Sequence, residues 1–454
     1  MISGRSEEHS YRLPDEGLDT LLRLGVSLGA IHDSAERFPP PNCHPDTRKA
    51  VRQIILDWIR SESSADYFFW LYGPAGAGKT AILQAIAEFL CSPYGSGYNF
   101  GGSFFFSRGK QGRDQGHFLF STIAYQLALK VPGLRQHVNF IMEIDPTLHT
   151  KSMDMQIQTL IVKAFKDLSP LPQHSYLIII DGLDECHDKA TQQLILRLLC
   201  ESITVHKLPL RFLIGSRPES HIRASFDRES LYTITQRVVL DETFNPGRDI
   251  RMFLQDGFAK ICANNSIMSH VEQPWPKEGI IDLLVQRSSG QFIYPATILK
   301  FVGVDFCSPT KQLALVLKPD PTAFSDLDQL YTQILSVYPS AVNLVHVLGI
   351  ISVSHGVLQD VMEDIFGMEK GELMLVLRGL SSLLKDDNDE NGGCLNDSEG
   401  DISYVIPHFT HASFSDYLFN SSRSGQFYVN RQEYEIQVIK RSFELIIQSI
   451  QSWR

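Results

Sequence analysis

Residues Gly73, Pro74, Ala75, Gly76, Ala77, Gly78, Lys79 and Thr80 spell an uninterrupted G-x-x-x-x-G-K-[ST] string, the pattern of a phosphate-binding loop. No other stretch constrains the fold as tightly, because such a loop works only between a strand and a helix. Both flanks are present. Tyr67 to Tyr72 is a continuous apolar run, as a buried strand is, and Ala81 to Leu90 carries apolar residues at helical spacing. Glycines let backbone N–H groups close around a β-phosphate, and the N-terminus of the following helix adds partial positive charge there. In this pattern Lys79 reaches the β/γ-phosphates and the Thr80 hydroxyl takes a place on Mg²⁺.

A second apolar run, Tyr176 to Asp181, ends in an acid and reads as a buried parallel strand. Asp181 then emerges at the carboxyl end of the sheet, where α/β folds bind ligands, and holds Mg²⁺ through water. Asp184 and Glu185 follow on the exit loop. One carboxylate within reach of a γ-phosphate orients an attacking water, with Asp184 the first candidate and Glu185 the second. A third run, Leu210 to Gly215, leads into Ser216, Arg217, Pro218 and Glu219. The planar guanidinium of Arg217 suits the oxygens of a γ-phosphate.

Composition excludes several functions. The chain has 454 residues, a length prior of about three domains. Its 52 acids against 41 bases give a net charge of −11, which disfavours nonspecific binding to nucleic acid. The longest segment free of Asp, Glu, Lys and Arg, Gln329 to Gln359, is broken by Pro339, Asn343 and two histidines, so no membrane span is expected. Seven scattered cysteines, no C-x-x-C and no signal peptide point to reduced thiols in the cytoplasm.

The strings GPAGAGKT, YLIIIDGLDE and FLIGSRPE, in this order and spacing, resemble the NACHT group of signal-transduction (STAND) NTPases, relatives of the NOD-like receptors. Cys43 to Arg48 with Ile54, Ile55 and Trp58 looks like the lead-in segment of fungal NACHT proteins with a nephrocystin-like NTPase core. Gly102 to Arg108 looks like their second strand. The resemblance runs from about Ala30 to Val429. It implies a P-loop NTPase parallel sheet with helices on both faces, then a helical subdomain and a winged-helix-like domain. It also implies bound ATP or ADP with Mg²⁺, slow hydrolysis used as a switch, self-association in the ATP state and protein partners that the sequence does not identify.

The expected organisation is an N-terminal helix and linker at 1–41, the NTPase core at 42–245 and a helical subdomain at 246–336. A winged-helix-like domain at 337–425 and a helical tail at 426–454 complete it. Ser289 to Phe301 is helical in pattern around Pro295. The resemblance sets Pro295 against the adenine; a kinked packing helix is the alternative. Helices over Ala341–Ile351, Leu358–Phe366 and Lys370–Leu384 precede a strand pair. The third offers only Lys370, Arg378 and Lys385 beside an acidic wing, which disfavours DNA readout. Within that wing Asp387, Asp389, Asn391 and Gly392 follow the first half of a calcium loop. Position twelve is Ser398 instead of Glu, so the segment reads as a solvated hairpin tip. Further on, His411, Ser413, Phe414, Asp416 and Tyr417 fit H-x-[ST]-F-x-[DE]-[FY]. In the resembled family the leading histidine touches the ADP phosphates and holds the closed state, which makes His411 the candidate latch and His408 its rival. No repeat of 20–50 residues follows, leaving a truncated product or a minimal switch open. Three functions remain: a slow ATP/ADP switch, a small-molecule kinase, and a nucleotide-binding scaffold without turnover.

Overall fold

Five apolar runs become strands β1 (Phe68–Tyr72), β2 (Phe100–Phe105), β3 (Tyr176–Asp181), β4 (Leu210–Ser216) and β5 (Thr235–Val239). In the computed structural model all five pair in parallel, in the order β2-β3-β4-β1-β5. The residues described are 15–61, 65–95, 97–304, 307–318, 325–337, 341–353, 359–380, 382–385, 395–396, 402–403, 407–409 and 411–452. The expected α/β class, a parallel sheet with helices on both faces, is the one observed.

Strand periodicity explains why these runs are apolar throughout. Successive side chains leave a strand on opposite faces. Phe68, Trp70, Ile178, Ile180, Phe212 and Ile214 therefore enter one core cluster. Their neighbours Phe69, Leu71, Leu177, Ile179 and Leu213 enter another. Helices α1 (Glu16–Gly25), α4 (Phe118–Lys130), α5 (Leu134–Ile144) and α6 (Lys189–Thr204) cover the first face. Helices α2 (Lys49–Arg60) and α3 (Lys79–Cys91) cover the second. Each large side chain taken from water contributes about 1.5–3 kcal/mol, so a polar residue on either face of β3 would be costly.

The segment expected to be a helix and linker is built into this core. Leu18, Leu21 and Ala30 belong to the first cluster, and the backbone N–H of Leu18 donates to Asn139 at 2.9 Å.

Beyond the sheet the chain is mostly helical: α7 (Pro246–Asn264), α8 (Glu278–Ser288), α9 (Ile293–Val302), α10 (Asp326–Leu335), α11 (Ala341–Val353), α12 (Gln359–Phe366) and α13 (Glu372–Gly379). Short strands follow, β6 (Leu384–Lys385) pairing antiparallel with β9 (His408–Phe409), and β7 (Leu395–Asn396) with β8 (Ile402–Ser403). Helices α14 (Ala412–Leu418) and α15 (Arg431–Ser452) end the described chain. One large cluster, from Ile250 to Val429, unites this half. The kink considered at Pro295 is absent. Ser289 and Gly290 at φ 45° and 73° end α8 in a turn, and α9 starts afresh at Ile293. Pro295 thus sits in a first turn, where its missing N–H has no partner to lose. The calcium-like residues Asp387, Asp389, Asn391, Gly392 and Ser398 lie outside the described residues. Among the described residues no helix is long and apolar enough to cross a membrane.

Candidate functional site

The phosphate loop leaves β1 at Tyr72 and turns through two left-handed residues, Gly76 (φ 73°) and Gly78 (φ 91°), before α3 begins at Lys79. Glycine is needed at Gly76 for a second reason. A Cβ there would fall 2.2 Å from the Ile293 side chain, whose own backbone N–H donates to the Gly76 carbonyl at 3.3 Å. The helical half therefore rests on the loop through the first residue of α9. Pro295, two residues on, is buried behind that contact. A second staple comes from the lead-in segment. The Arg48 guanidinium donates to the Ala77 carbonyl at 2.9 Å and lies 4.9 Å from the Phe292 ring centroid, while the Arg48 backbone N–H donates to Asp249 at 2.7 Å.

The Lys79 amine donates to the carbonyls of Gly73 and Pro74 at 2.9 and 2.8 Å. Burial pushes its pKa down, while nearby Asp184 and Asp181 oppose that shift. Asp181 is buried at the end of β3. Burial pushes its carboxyl above the usual range against a hydrogen bond from Thr80, and its Oδ1 has no hydrogen-bond partner. An orphaned oxygen on a buried carboxylate beside a hydroxyl is costly alone and suits a hydrated divalent cation. Thr80 and Asp181 thus fit the Mg²⁺ that the loop pattern implies.

Gly215, on β4, makes room for Asp181. A Cβ at that position would lie 2.6 Å from Asp181 Oδ1 and 2.5 Å from the Leu83 side chain. Gly215→Ala should therefore destabilise the chain by about 1–3 kcal/mol, the usual cost of overpacking a core. An unchanged midpoint in denaturant unfolding would show that Asp181 can move aside.

The carboxylates on the exit loop are not equivalent. Asp184 is almost fully buried, and both of its oxygens are engaged by Arg217: Oδ1 accepts the Arg217 backbone N–H at 2.9 Å, and Oδ2 pairs with Nε at 3.2 Å. Among the described residues Glu185 accepts just the backbone N–H of Arg108, at 3.1 Å through Oε2. Burial, reinforced by the charge of Asp184, pushes Glu185 up to about 7.

Arg217 extends from the end of β4, the strand beside β1. Its Nη1 donates to Asp416 Oδ2 at 2.6 Å, and Arg108 Nη1 donates to the other oxygen of that carboxylate at 2.9 Å. Asp416 belongs to α14, so one acid of the helical half is held by two arginines of the sheet half. The rest of its motif explains how α14 is fixed. His411 caps the helix, its Nδ1 accepting the Ser413 N–H at 3.1 Å. Ser413 and Tyr417 hydrogen-bond to Tyr331 and Thr332 of α10 at 2.8 and 2.7 Å, and Phe414 is in the core. Burial, together with the charges of Arg217 and Lys79, holds the His411 imidazole down to about 4. It is neutral at physiological pH, with the proton on Nε2 because Nδ1 accepts. His408 lies on β9, paired with Lys385.

The structure thus brings Lys79, Thr80, Asp181, Asp184, Glu185, Arg217 and His411 together at one end of the sheet. Sequence reasoning missed Asp416, although it is the acidic position of the motif that flagged His411. It also missed Arg108, Ile293 and Arg37. Arg37 comes from the expected linker, stacks 3.8 Å over the Phe105 ring and donates to Gln84 of α3 at 2.8 Å. Burial pushes it down to about 10, against the pull of Asp181 and Glu36.

Residues 51–217 match the family model described as nephrocystin 3, N-terminal. That span holds the loop, Asp181 and Arg217. With the phosphate loop between β1 and α3, the parallel five-stranded sheet resembles P-loop ATPase folds. Among solved structures the chain is similar to a STAND protein with a tetratricopeptide repeat sensor from Pyrococcus horikoshii, at 12% identity and TM-score 0.44, over 88% of this chain and 45% of that one. This chain therefore spans less than half the length of that relative. It is also similar to a Walker-type ATPase of Pyrococcus abyssi, at 13% identity and TM-score 0.36, over 81% and 96% of the two chains. Similarity to Cdc6p from Pyrobaculum aerophilum stands at 11% identity and TM-score 0.39, over 91% and 99%. Among curated proteins there is no match.

Proposed function

We propose that the chain is an ATP/ADP-binding regulatory switch that hydrolyses ATP slowly and closes α14 over its nucleotide site. The observation that carries this reading is the pairing of Arg217 with Asp416 at 2.6 Å. The residue that suits a γ-phosphate is engaged by an acid from the other half of the molecule. Asp416 and a γ-phosphate carry like charge and compete for the same guanidinium, so ADP is compatible with the closed form and ATP opposes it.

The other roles follow from the contacts. Residues 73–80 cradle the β-phosphate through backbone N–H groups, and Lys79 exchanges its two loop carbonyls for phosphate oxygens. Held between Thr80 and Asp181, Mg²⁺ would offset phosphate charge. Asp184, with both oxygens on Arg217, positions that arginine. The water-positioning role expected first of Asp184 falls instead to Glu185, whose proton affinity near neutrality suits a general base. His411 has Nε2–H available for an ADP phosphate. The domain limits 42–245, 246–336, 337–425 and 426–454 serve as the units of this switch, the third a winged-helix-like module. NACHT kinship, a place in signalling or non-self recognition, self-association with ATP and a cytoplasmic setting belong to the same reading.

Asp416→Ala tests it. The pairs are half-buried, and two charge-assisted hydrogen bonds of about 1.5 kcal/mol each at the low end correspond to about 100-fold in the closed-to-open ratio. ADP should dissociate faster by up to that factor, and light scattering should show a larger mass with ATP. ADP release at the unaltered rate would contradict the switch.

A further inference from the structure

We propose that Arg108 is a second γ-phosphate ligand, forming with Arg217 a two-arginine clamp that Asp416 fills in the closed form. This rests on the nucleotide reading above. Arg108 follows the end of β2, and Arg217 the end of β4; these strands flank β3 and its terminal Asp181. The two guanidiniums converge on a single anionic group, one on each oxygen of the Asp416 carboxylate, at 2.9 and 2.6 Å. Two converging cations need an anion when that carboxylate departs. Asp184 cannot supply it to both, since its side-chain oxygens are already engaged by Arg217. A terminal phosphate, with three acceptor oxygens and up to two charges, satisfies a forked pair of guanidiniums as a carboxylate does.

Arg108 is also tied to the exit loop. Its backbone N–H donates to Glu185 Oε2 at 3.1 Å and its Nη2 donates to the Asp184 carbonyl at 3.4 Å. The same residue thus carries the candidate water-positioning carboxylate on its backbone and a phosphate-seeking group on its side chain. The Arg108 side chain is 37% exposed, against 19% for Arg217, so it can exchange one anion for another without repacking the core.

The bland alternative is that Arg108 serves only the contact with Asp416. Removing Asp416 first separates the two. Affinities for ADP and for a nonhydrolysable ATP analogue, each with Mg²⁺, would be measured by calorimetry on Asp416→Ala and on Asp416→Ala/Arg108→Ala. The second substitution should weaken the analogue by about 10–100-fold, the worth of one or two hydrogen bonds between charged groups, and leave ADP nearly unchanged. Arg108→Lys in the same background should recover part of the loss, as a point charge without the fork. Equal losses for both nucleotides, or none for either, would overturn the proposal while leaving the phosphate loop assigned. Failure of the Asp416→Ala protein and the unaltered chain to bind either nucleotide would remove the nucleotide reading itself, and the clamp with it.

Discussion

Replacing Lys79 with alanine should leave the chain folded and weaken both ATP and ADP by about 10²–10⁴-fold, from contacts to two phosphates worth about 1.5–3 kcal/mol each. The fold should survive because, among the described residues, the amine bonds to the carbonyls of Gly73 and Pro74, at the mouth of the loop, which water can replace. The loss should fall on both nucleotides, unlike the selective loss expected at Arg108. Calorimetry with circular dichroism as the folding control decides it. Undiminished affinity in a folded variant would mean that the loop does not hold phosphate.

Glu185→Gln should lower turnover by about 10²–10⁴-fold while sparing nucleotide affinity, the usual effect of losing a general base. The same substitution should alter stability in a pH-dependent way. The folded protein holds Glu185 up at about 7 by burial, against 4.5 for the exposed carboxyl of the unfolded chain. Below about pH 4.5 both states are protonated and the charge cost is absent. As the pH rises toward 7 the unfolded chain ionises first, so stability is lost across that window. Glu185→Gln should therefore raise the unfolding midpoint at pH 8 and change it little at pH 4.5. Turnover of the unaltered protein should climb as the pH passes about 7. A variant with normal turnover would leave Glu185 a structural acid. An equal change in midpoint at both pH values would mean that its ionisation is not what the fold opposes.

The nucleotide core was legible because its signals are local. Glycines at the two left-handed positions of the loop, an acid closing the apolar β3 and an arginine just past β4 are each visible within a few residues. Parallel strands buried on both faces announce themselves as unbroken apolar runs, which is why Tyr176 to Asp181 could be placed without a partner in view. The closing contacts have no such signature. Arg108 and Asp416 are 308 positions apart, and Arg217 and Asp416 are 199 apart. Each alone looks like a surface charge. The acidic position of the His411 motif was visible, but its meaning depends on which arginines the fold brings to it. Arg37 was hidden for another reason: a proline-rich segment after a short helix reads as a linker, and only the packing of Leu18 and Leu21 against α4 and α5 commits it to the core. Likewise Ile293 touches Gly76 because α9 begins there, a boundary that the helical pattern around Pro295 placed several residues too early.

The opening of α14 by ATP is tested most directly by a distance between the two halves of the molecule. Spin labels on an exposed position of α6, such as Arg197, and of α15, such as Arg441, would report it without touching the site. With ADP the distance should be single and short, and with a nonhydrolysable ATP analogue and Mg²⁺ it should lengthen; Asp416→Ala should lengthen it with ADP alone. One unchanged distance in all three samples, with both nucleotides bound, would contradict a nucleotide-driven switch.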